Sequence, residues 1–255
     1  MTRRIVLAMV ATALAVTAAA VLFLRADGAG GSDTPAPSVR EPQEVSRSPT
    51  QRPAAGRRWP LGARLTRSVQ MRASPGGRVV RALHPSTGYG SDRVLAVVAR
   101  RPGWLGVLSQ YMPNSKAGWI PDDAAQLRYE PYTIAVDLSD LRLLVRREGR
   151  VVRRVRVAIG RPGNETPTGR YAITDTLRVS GDGGGPYGCC AFALTGRQPN
   201  VPQGWTGGDR IAIHGTNSED SLGTPASAGC LRASDADMRW MMKRIPVGVQ
   251  VRIQA

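Results

Sequence analysis

His214-Gly215-Thr216 is followed, sixteen residues after the histidine, by Cys230 within Ser227-Ala228-Gly229-Cys230-Leu231-Arg232. The chain has two histidines and three cysteines, so few other residues can form a thiol–imidazole couple. A free cysteine has a pKa near 8.5 and is mainly thiol at neutral pH; a nearby imidazole can take its proton and release a thiolate that attacks a carbonyl carbon. Gly229 permits a tight bend at the nucleophile. Backbone N–H groups around Gly229 and Cys230 can meet a developing oxyanion, one such donor being worth about 3 kcal/mol in the transition state. No carboxylate is obviously placed to orient His214. Asp209 lies five residues upstream and Glu219 and Asp220 on the following loop, while a backbone carbonyl can fix the tautomer equally well. The other histidine, in Leu83-His84-Pro85, reads as an incidental surface or packing residue. The bland alternative for the pair is a buried cysteine beside a turn histidine.

These residues need a strand and a bend to hold them. Asp209-Arg210-Ile211-Ala212-Ile213 reads as a short strand delivering His214, and residues 215–229 as a polar loop ending at Cys230. Ser234 can cap a helix with Asp237 three places on, and Met238, Met241, Met242 and Ile245 give that helix a buried stripe. Val249, Val251 and Ile253 make a closing strand. Upstream, Ile134, Val136 and Leu138 alternate with polar or small residues, as on a half-buried strand. Val155, Val157 and Ile159 do the same on a strand whose polar side carries Arg150, Arg153, Arg154 and Arg156. Thr166-Pro167-Thr168-Gly169 is a turn, and the glycine-rich stretch from Gly181 to Gly188 is a loop suited to the mobile rim of a site. No β-α-β repetition occurs, so residues 129–255 are expected to form a mostly β domain with one or two helices.

Residues 59–128 hold short apolar runs separated by Pro75-Gly76-Gly77, Pro102-Gly103 and Pro113-Asn114, the pattern of a small all-β barrel. Trp104 and Trp119 are expected in its core. Before it, residues 26–58 are rich in Gly, Ser, Pro and Arg and read as a disordered tether. Ile5 to Leu24 is an uncharged run of twenty residues, which as a helix would rise about 30 Å and cross a bilayer. Arg3 and Arg4 place its N-terminus in the cytoplasm. The expectation is therefore a signal anchor, or a cleaved signal peptide, within residues 1–25. Residues 26–255 would then sit on the extracytoplasmic side of the cell envelope.

With 35 Lys and Arg against 19 Asp and Glu, the formal charge is +16. Such a balance suits a surface held against an anionic polymer. No aromatic-interleaved basic patch, zinc-finger spacing or glycine-rich phosphate loop is present, so neither nucleic acid nor a metal or other cofactor is expected.

At His214-Gly215, Ser227, Gly229-Cys230, Leu231 and Arg232 the sequence resembles the L,D-transpeptidase catalytic domain, also called the YkuD-like domain. Thr166-Pro167-Thr168-Gly169 and Gly185-Pro186-Tyr187-Gly188 resemble the same family, and the likeness covers roughly residues 131–254. Residues 62–127 look less sharply like bacterial SH3-like modules. The resemblance implies a mainly β fold and the cross-linking of peptidoglycan stem peptides without a cofactor. Cys230 would attack the carbonyl between a diamino acid, usually diaminopimelate, and terminal D-Ala of a donor tetrapeptide. D-Ala would leave, and a second stem's side-chain amine would resolve the thioester to a 3→3 cross-link. His214 would be the base. Gly229, Ser227, Gly215 and Arg232 would support the oxyanion and the nucleophile loop, with Tyr187, Thr216 and Arg232 meeting substrate. The implied partners are stem peptides, the membrane through residues 5–24, and an anionic cell-wall polymer as a further contact. Cys189-Cys190 departs from the family pattern. Neighbouring cysteines can pair with each other, stay as thiols, or bridge to Cys230, and apolar filling is the simplest reading. An L,D-carboxypeptidase or related hydrolase shares the same first half-reaction, and a non-catalytic wall-binding protein is the other alternative.

Overall fold

The alternation of apolar and polar residues on either side of Pro131 folds into two sheets in the computed structural model, which describes residues 60–179, 185–201 and 208–255. The first sheet has seven strands: β1 (Leu61–Leu65), β2 (Val69–Arg72), β3 (Val79–Leu83), β4 (Val94–Arg101), β5 (Trp104–Leu108), β6 (Ala117–Pro121) and β7 (Ala125–Tyr129). Their order is β3-β2-β6-β5-β4-β1-β7, with every pairing antiparallel. Met71, Leu83, Leu95, Leu105, Val107 and Ile120 fill its core. Trp104 and Trp119, expected in that core, are only half-buried. Their strands already turn smaller aliphatic residues inward, so the indoles are left at the margin.

The second sheet has eight strands in the order β10-β9-β8-β17-β12-β13-β14-β16. They are β8 (Tyr132–Asp137), β9 (Arg142–Arg147), β10 (Arg150–Arg156), β12 (Gly169–Arg178), β13 (Cys190–Arg197), β14 (Arg210–His214), β16 (Leu231–Arg232) and β17 (Gln250–Gln254). β11 (Ile159–Gly160) and β15 (Pro225–Ser227) form a separate parallel pair. The closing strand lies parallel to β8, Val251 opposite Ile134 and Ile253 opposite Val136, all four buried. One helix, α1 (Asp235–Met242), packs Met238 and Met241 into the same core as Phe192, Ile213 and Leu231. Ser234 caps it as its sequence predicts: the hydroxyl accepts from Asp237 N at 3.1 Å and donates to Asp237 Oδ2 at 2.8 Å.

Both sheets belong to one compact unit. Ala96 of β4, Leu108 of β5 and Ala172 of β12 form a small buried apolar cluster between them, and loop residues add hydrogen bonds. Asn114 and Arg197 exchange hydrogen bonds of 2.8 and 2.9 Å, and Arg197 Nε donates to Gln110 O at 2.9 Å. Ser115 Oγ accepts from Arg170 N at 2.9 Å, and Thr87 Oγ1 donates to the buried carboxylate of Asp175 on β12.

One expectation is corrected. The apolar run 5–24 and the tether 26–58 lie outside the described residues, and among the described residues no helix is long and apolar enough to cross a membrane. The fold class of the described residues is therefore mainly β, with no transmembrane helix among them. The signal anchor, the membrane as a partner through residues 5–24, and the membrane-anchored placement in the envelope are withdrawn with it.

The cap gives a direct check on how α1 is held. Ser234→Ala should cost about 1 kcal/mol, a fall in Tm of roughly 2–4 °C for a domain of this size. Thermal unfolding followed by circular dichroism measures it, and an unchanged Tm would mean that the cap does not stabilise the helix.

Candidate active site

Two short strands bring the predicted pair into one place. β14 and β16 run parallel, with Ile213 opposite Leu231 and His214 opposite Arg232. Cys230, one residue before β16, therefore lies alongside the last turn of β14. Ala233 N donates to His214 O at 2.9 Å and locks the crossover. Cys230 and His214 line one cavity of about 570 Å³, together with Tyr187, Ser227, Arg232, Arg161, Arg210 and Tyr89 among others.

The histidine is oriented by backbone. Its Nδ1 lies 2.6 Å from Gly215 O. A carbonyl can only accept, so Nδ1 carries the proton and Nε2 keeps its lone pair. None of the three candidate carboxylates does this work. Asp209 pairs with Arg197 at 2.7 Å, Asp220 accepts from Ser218 Oγ at 2.8 Å, and Glu219 is exposed. His214 is 4% exposed, and burial pushes its pKa down from 6.5 to about 4; the positive field of Arg232 adds to this and the Gly215 carbonyl opposes it. Burial also pushes the Cys230 thiol up, against a backbone hydrogen bond from Ala212 and the charge of Arg232. Both shifts favour the uncharged forms, so the resting site is a neutral thiol beside a neutral imidazole.

Ser227 organises the nucleophile loop. Its hydroxyl donates to Cys230 O at 2.6 Å and accepts from Gly229 N at 3.0 Å. Of the two expected oxyanion donors, the Gly229 N–H is thus engaged elsewhere. Gly229 itself has φ +114°, and a Cβ there would strike the side-chain amide of Gln198, so glycine is required for both backbone and space. Gly215 is not among the cavity-lining residues; its N–H donates to Cys190 O at 3.0 Å while its carbonyl holds the imidazole. Thr216 is buried and its hydroxyl accepts from Ser218 N at 3.1 Å, so it too sits behind the cleft and not on it. Tyr187 does line the cleft, its ring edge-on to His214 with centroids 4.9 Å apart. Of its glycine-rich loop, residues 181–184 lie outside the described residues, and Gly185–Tyr187 forms a 3-10 turn at the cleft. Arg232 lines the cleft with its Nε buried and without a partner among the described residues.

Two positioning residues have no signature in the sequence. Gln198 is buried, and its amide nitrogen donates to Asn164 O, Glu165 O and Ala228 O at 3.2, 3.0 and 3.2 Å, clamping the nucleophile loop to the turn after β11. Asp235, at the start of α1, accepts from Cys189 N at 3.0 Å and fills the space in which Gly188 and Gly215 have no side chain. Cys189 and Cys190 pack against the core, as apolar fillers would, but their sulfurs are also paired as a vicinal disulfide, and Cys230 is free. His84 is exposed in the first sheet, 3.0 Å from Ser68 Oγ. The arginine strand is not one uniform face. Arg153 pairs with Asp237 at 2.6 Å and stacks on Trp240, whereas Arg154 and Arg156 line a separate cavity with Arg142.

Comparison with known proteins agrees with this site. Residues 131–253 match the model of the L,D-transpeptidase catalytic domain, YkuD. The chain is 33% identical over 133 residues to the putative L,D-transpeptidase YqjB of Bacillus subtilis, covering 49% of this chain and 71% of that protein. It is 30% identical over 123 residues to the putative L,D-transpeptidase YkuD of the same organism, covering 48% of this chain and 66%, just under two thirds, of that protein. The chain belongs to the L,D-transpeptidase catalytic-domain family. Among solved structures, an L,D-transpeptidase from Mycobacterium smegmatis matches at 17% identity with a TM-score of 0.41, covering 65% of this chain and 92% of that one. That likeness adds no weight to the assignment, which stands on sequence.

The protonation states have a measurable consequence. Between pH 4 and 6.5 an ordinary imidazole is protonated and His214 is not. In a ¹⁵N NMR titration its ring should stay neutral through pH 6.5 and titrate near pH 4, and Cys230 alkylation by iodoacetamide should show a midpoint above 9.0. A histidine still protonated above pH 7, with alkylation already at its plateau there, would replace the neutral couple by an ion pair.

Proposed function

We propose that this chain transfers peptidoglycan stem peptides through a Cys230 thioester, releasing D-Ala and forming 3→3 cross-links. The observation that carries the reading is a free thiol on the same cleft wall as an imidazole whose Nδ1 proton is held by backbone, in a chain of this family. Cys230 attacks the carbonyl preceding the donor's terminal D-Ala as its proton passes to His214 Nε2. The carbon–nitrogen bond then breaks, and the same proton leaves with the D-Ala amine. In the second half the acceptor's side-chain amine attacks the thioester, gives a proton to Nε2, and the sulfur departs and recovers it. With the Gly229 N–H engaged by Ser227, the Cys230 N–H is the remaining loop donor for the oxyanion. The unpartnered Nε of Arg232 suits a stem carboxylate, and Tyr187 walls the donor side of the cleft.

The neutral couple explains how such a site can be selective. A buried thiolate would react with any small electrophile, whereas here proton transfer must accompany attack, so only a carbonyl held in line is productive. The division into a module at residues 59–128 and a catalytic domain at 129–255 belongs to this proposal. So does the reading of the module as SH3-like, which its small antiparallel sheet supports.

Hydrolysis differs only in who resolves the thioester. Given a disaccharide-tetrapeptide, the chain should produce cross-linked dimer with loss of D-Ala, and Cys230→Ala or His214→Ala should lower the rate by at least about a thousandfold. Mass analysis of the products decides it. Tripeptide alone would make the enzyme an L,D-carboxypeptidase, no product from the parent chain would leave a wall-binding protein, and undiminished product from Cys230→Ala would overturn Cys230 as the nucleophile.

A further inference from the structure

The cleft has a second end that the chemistry at Cys230 does not use, and one of its residues comes from the other sheet. Tyr89 lies between β3 and β4, yet it lines the same cavity as Cys230 and His214. At 65% it is the most exposed large apolar side chain among the described residues. The loop that presents it is well tied. Thr87 N donates to Ser91 O at 2.9 Å, Gly90 N donates to Thr87 O at 3.1 Å, and Ser86 bridges Asp92. The Thr87 hydroxyl accepts from Tyr89 N and Ser91 N at 3.3 and 3.2 Å and donates to Asp175 across the boundary between the sheets. Arg93 holds the base of the loop through His84 O at 2.7 Å and Ser86 O at 3.0 Å. An aromatic ring kept in water on a fixed loop at a cleft mouth is the arrangement of a binding platform.

Its neighbour is Arg210, a cleft residue whose charge interacts with Asp175 and Tyr89. Arg210 Nη2 is tied to Thr174 Oγ1 at 2.6 Å and Leu194 O at 2.8 Å, which holds the guanidinium in place. Arg210 opens β14 and His214 closes it, so the two ends of the cleft are roughly 13 Å apart at about 3.3 Å per strand residue. An extended peptide covers about 3.3–3.6 Å per residue. In a tetrapeptide cleaved before its last residue, two residues precede the scissile one, so with that carbonyl at Cys230 the sugar that carries the stem falls three or four positions away, at Tyr89 and Arg210.

We propose that Tyr89 is a substrate-binding residue lent to the catalytic cleft by the N-terminal sheet. Its ring stacks on the sugar-linked end of the donor stem while Arg210 meets a stem carboxylate, so the chain prefers glycan-linked stems to free peptides. This rests on the stem-peptide reading above. It gives the first sheet a role in selection and makes Thr87 the residue that positions the platform.

The test is calorimetric titration of the full chain carrying Cys230→Ala, which cannot turn over, with disaccharide-tetrapeptide and with free tetrapeptide. The sugar-bearing ligand should bind about tenfold more tightly. Adding Tyr89→Ala should reduce that advantage to within about twofold while changing affinity for the free tetrapeptide less than twofold; Tyr89→Phe should retain it. Unfolding temperature should be the same in all three, because Tyr89 is exposed. Equal affinities for the two ligands in the parent, or a Tyr89→Ala loss shared equally by both, would overturn the proposal. Failure of both ligands to bind the parent counts against the stem-peptide reading and removes this one with it.

Discussion

The parallel pairing of β14 with β16 is the constraint on which the site depends. Its register places His214 opposite Arg232 and so sets Cys230 beside the end of β14. Neither strand could hold that position alone. β16 has only Leu231 and Arg232, and it is secured by Ala233 N on His214 O and by the bridge from Arg232 to Ala158. Leu231 and Ile213 are buried in the core with Met238 of α1, so slipping the pair by one residue would move apolar side chains out and Cys230 away from the imidazole. The helix, its Ser234 cap and the Asp235 carboxylate then brace the segment from the other side.

From that pairing the electrostatics follow. The same burial that fixes His214 removes water from it, which lowers its pKa, and raises that of the thiol. A buried charge pair would need partners on every side. Among the described residues the charge that acts on the histidine is that of Arg232, and its Nδ1 is held by a carbonyl in place of a carboxylate, a set that favours the uncharged couple. Holding Nδ1 with a backbone carbonyl fixes the tautomer without adding a negative charge that would draw the imidazole toward its protonated form.

Much of this was legible in the sequence where a side chain announces its own geometry. The His214–Cys230 pair, the Ser234 cap with Asp237 and the alternating strands at Ile134 and Val251 each follow from residue type and spacing, whereas the role of Ser227 in the loop came from the family resemblance. What was not legible depends on contacts distant in the chain. Gln198 reads as an ordinary loop residue, but it ties together carbonyls from Asn164 to Ala228. Asp235 reads as a helix-start acid, but it holds the Cys189 amide. Thr216 was expected to meet substrate from the family resemblance, but it lies buried outside the cleft lining, with its hydroxyl accepting from Ser218 N. Tyr89 had no local signal, since its place in the cleft comes from the docking of one sheet on the other through Thr87 and Asp175. The apolar run at residues 5–24 suggested a membrane helix by length and composition alone; it lies outside the described residues, among which no helix is long and apolar enough to cross a membrane.

The central claim is that Cys230 is acylated by a stem peptide with His214 as a neutral base. Rapid mixing of the chain with a disaccharide-tetrapeptide, quenching in acid and intact-mass analysis followed by peptide mapping tests it most directly. The account predicts a gain equal to the donor minus D-Ala, located on Cys230, forming at a rate that is unchanged from pH 6 to 7.5. A chain that gains no mass, carries it on another residue, or acylates with an inflection near pH 6.5 would contradict it.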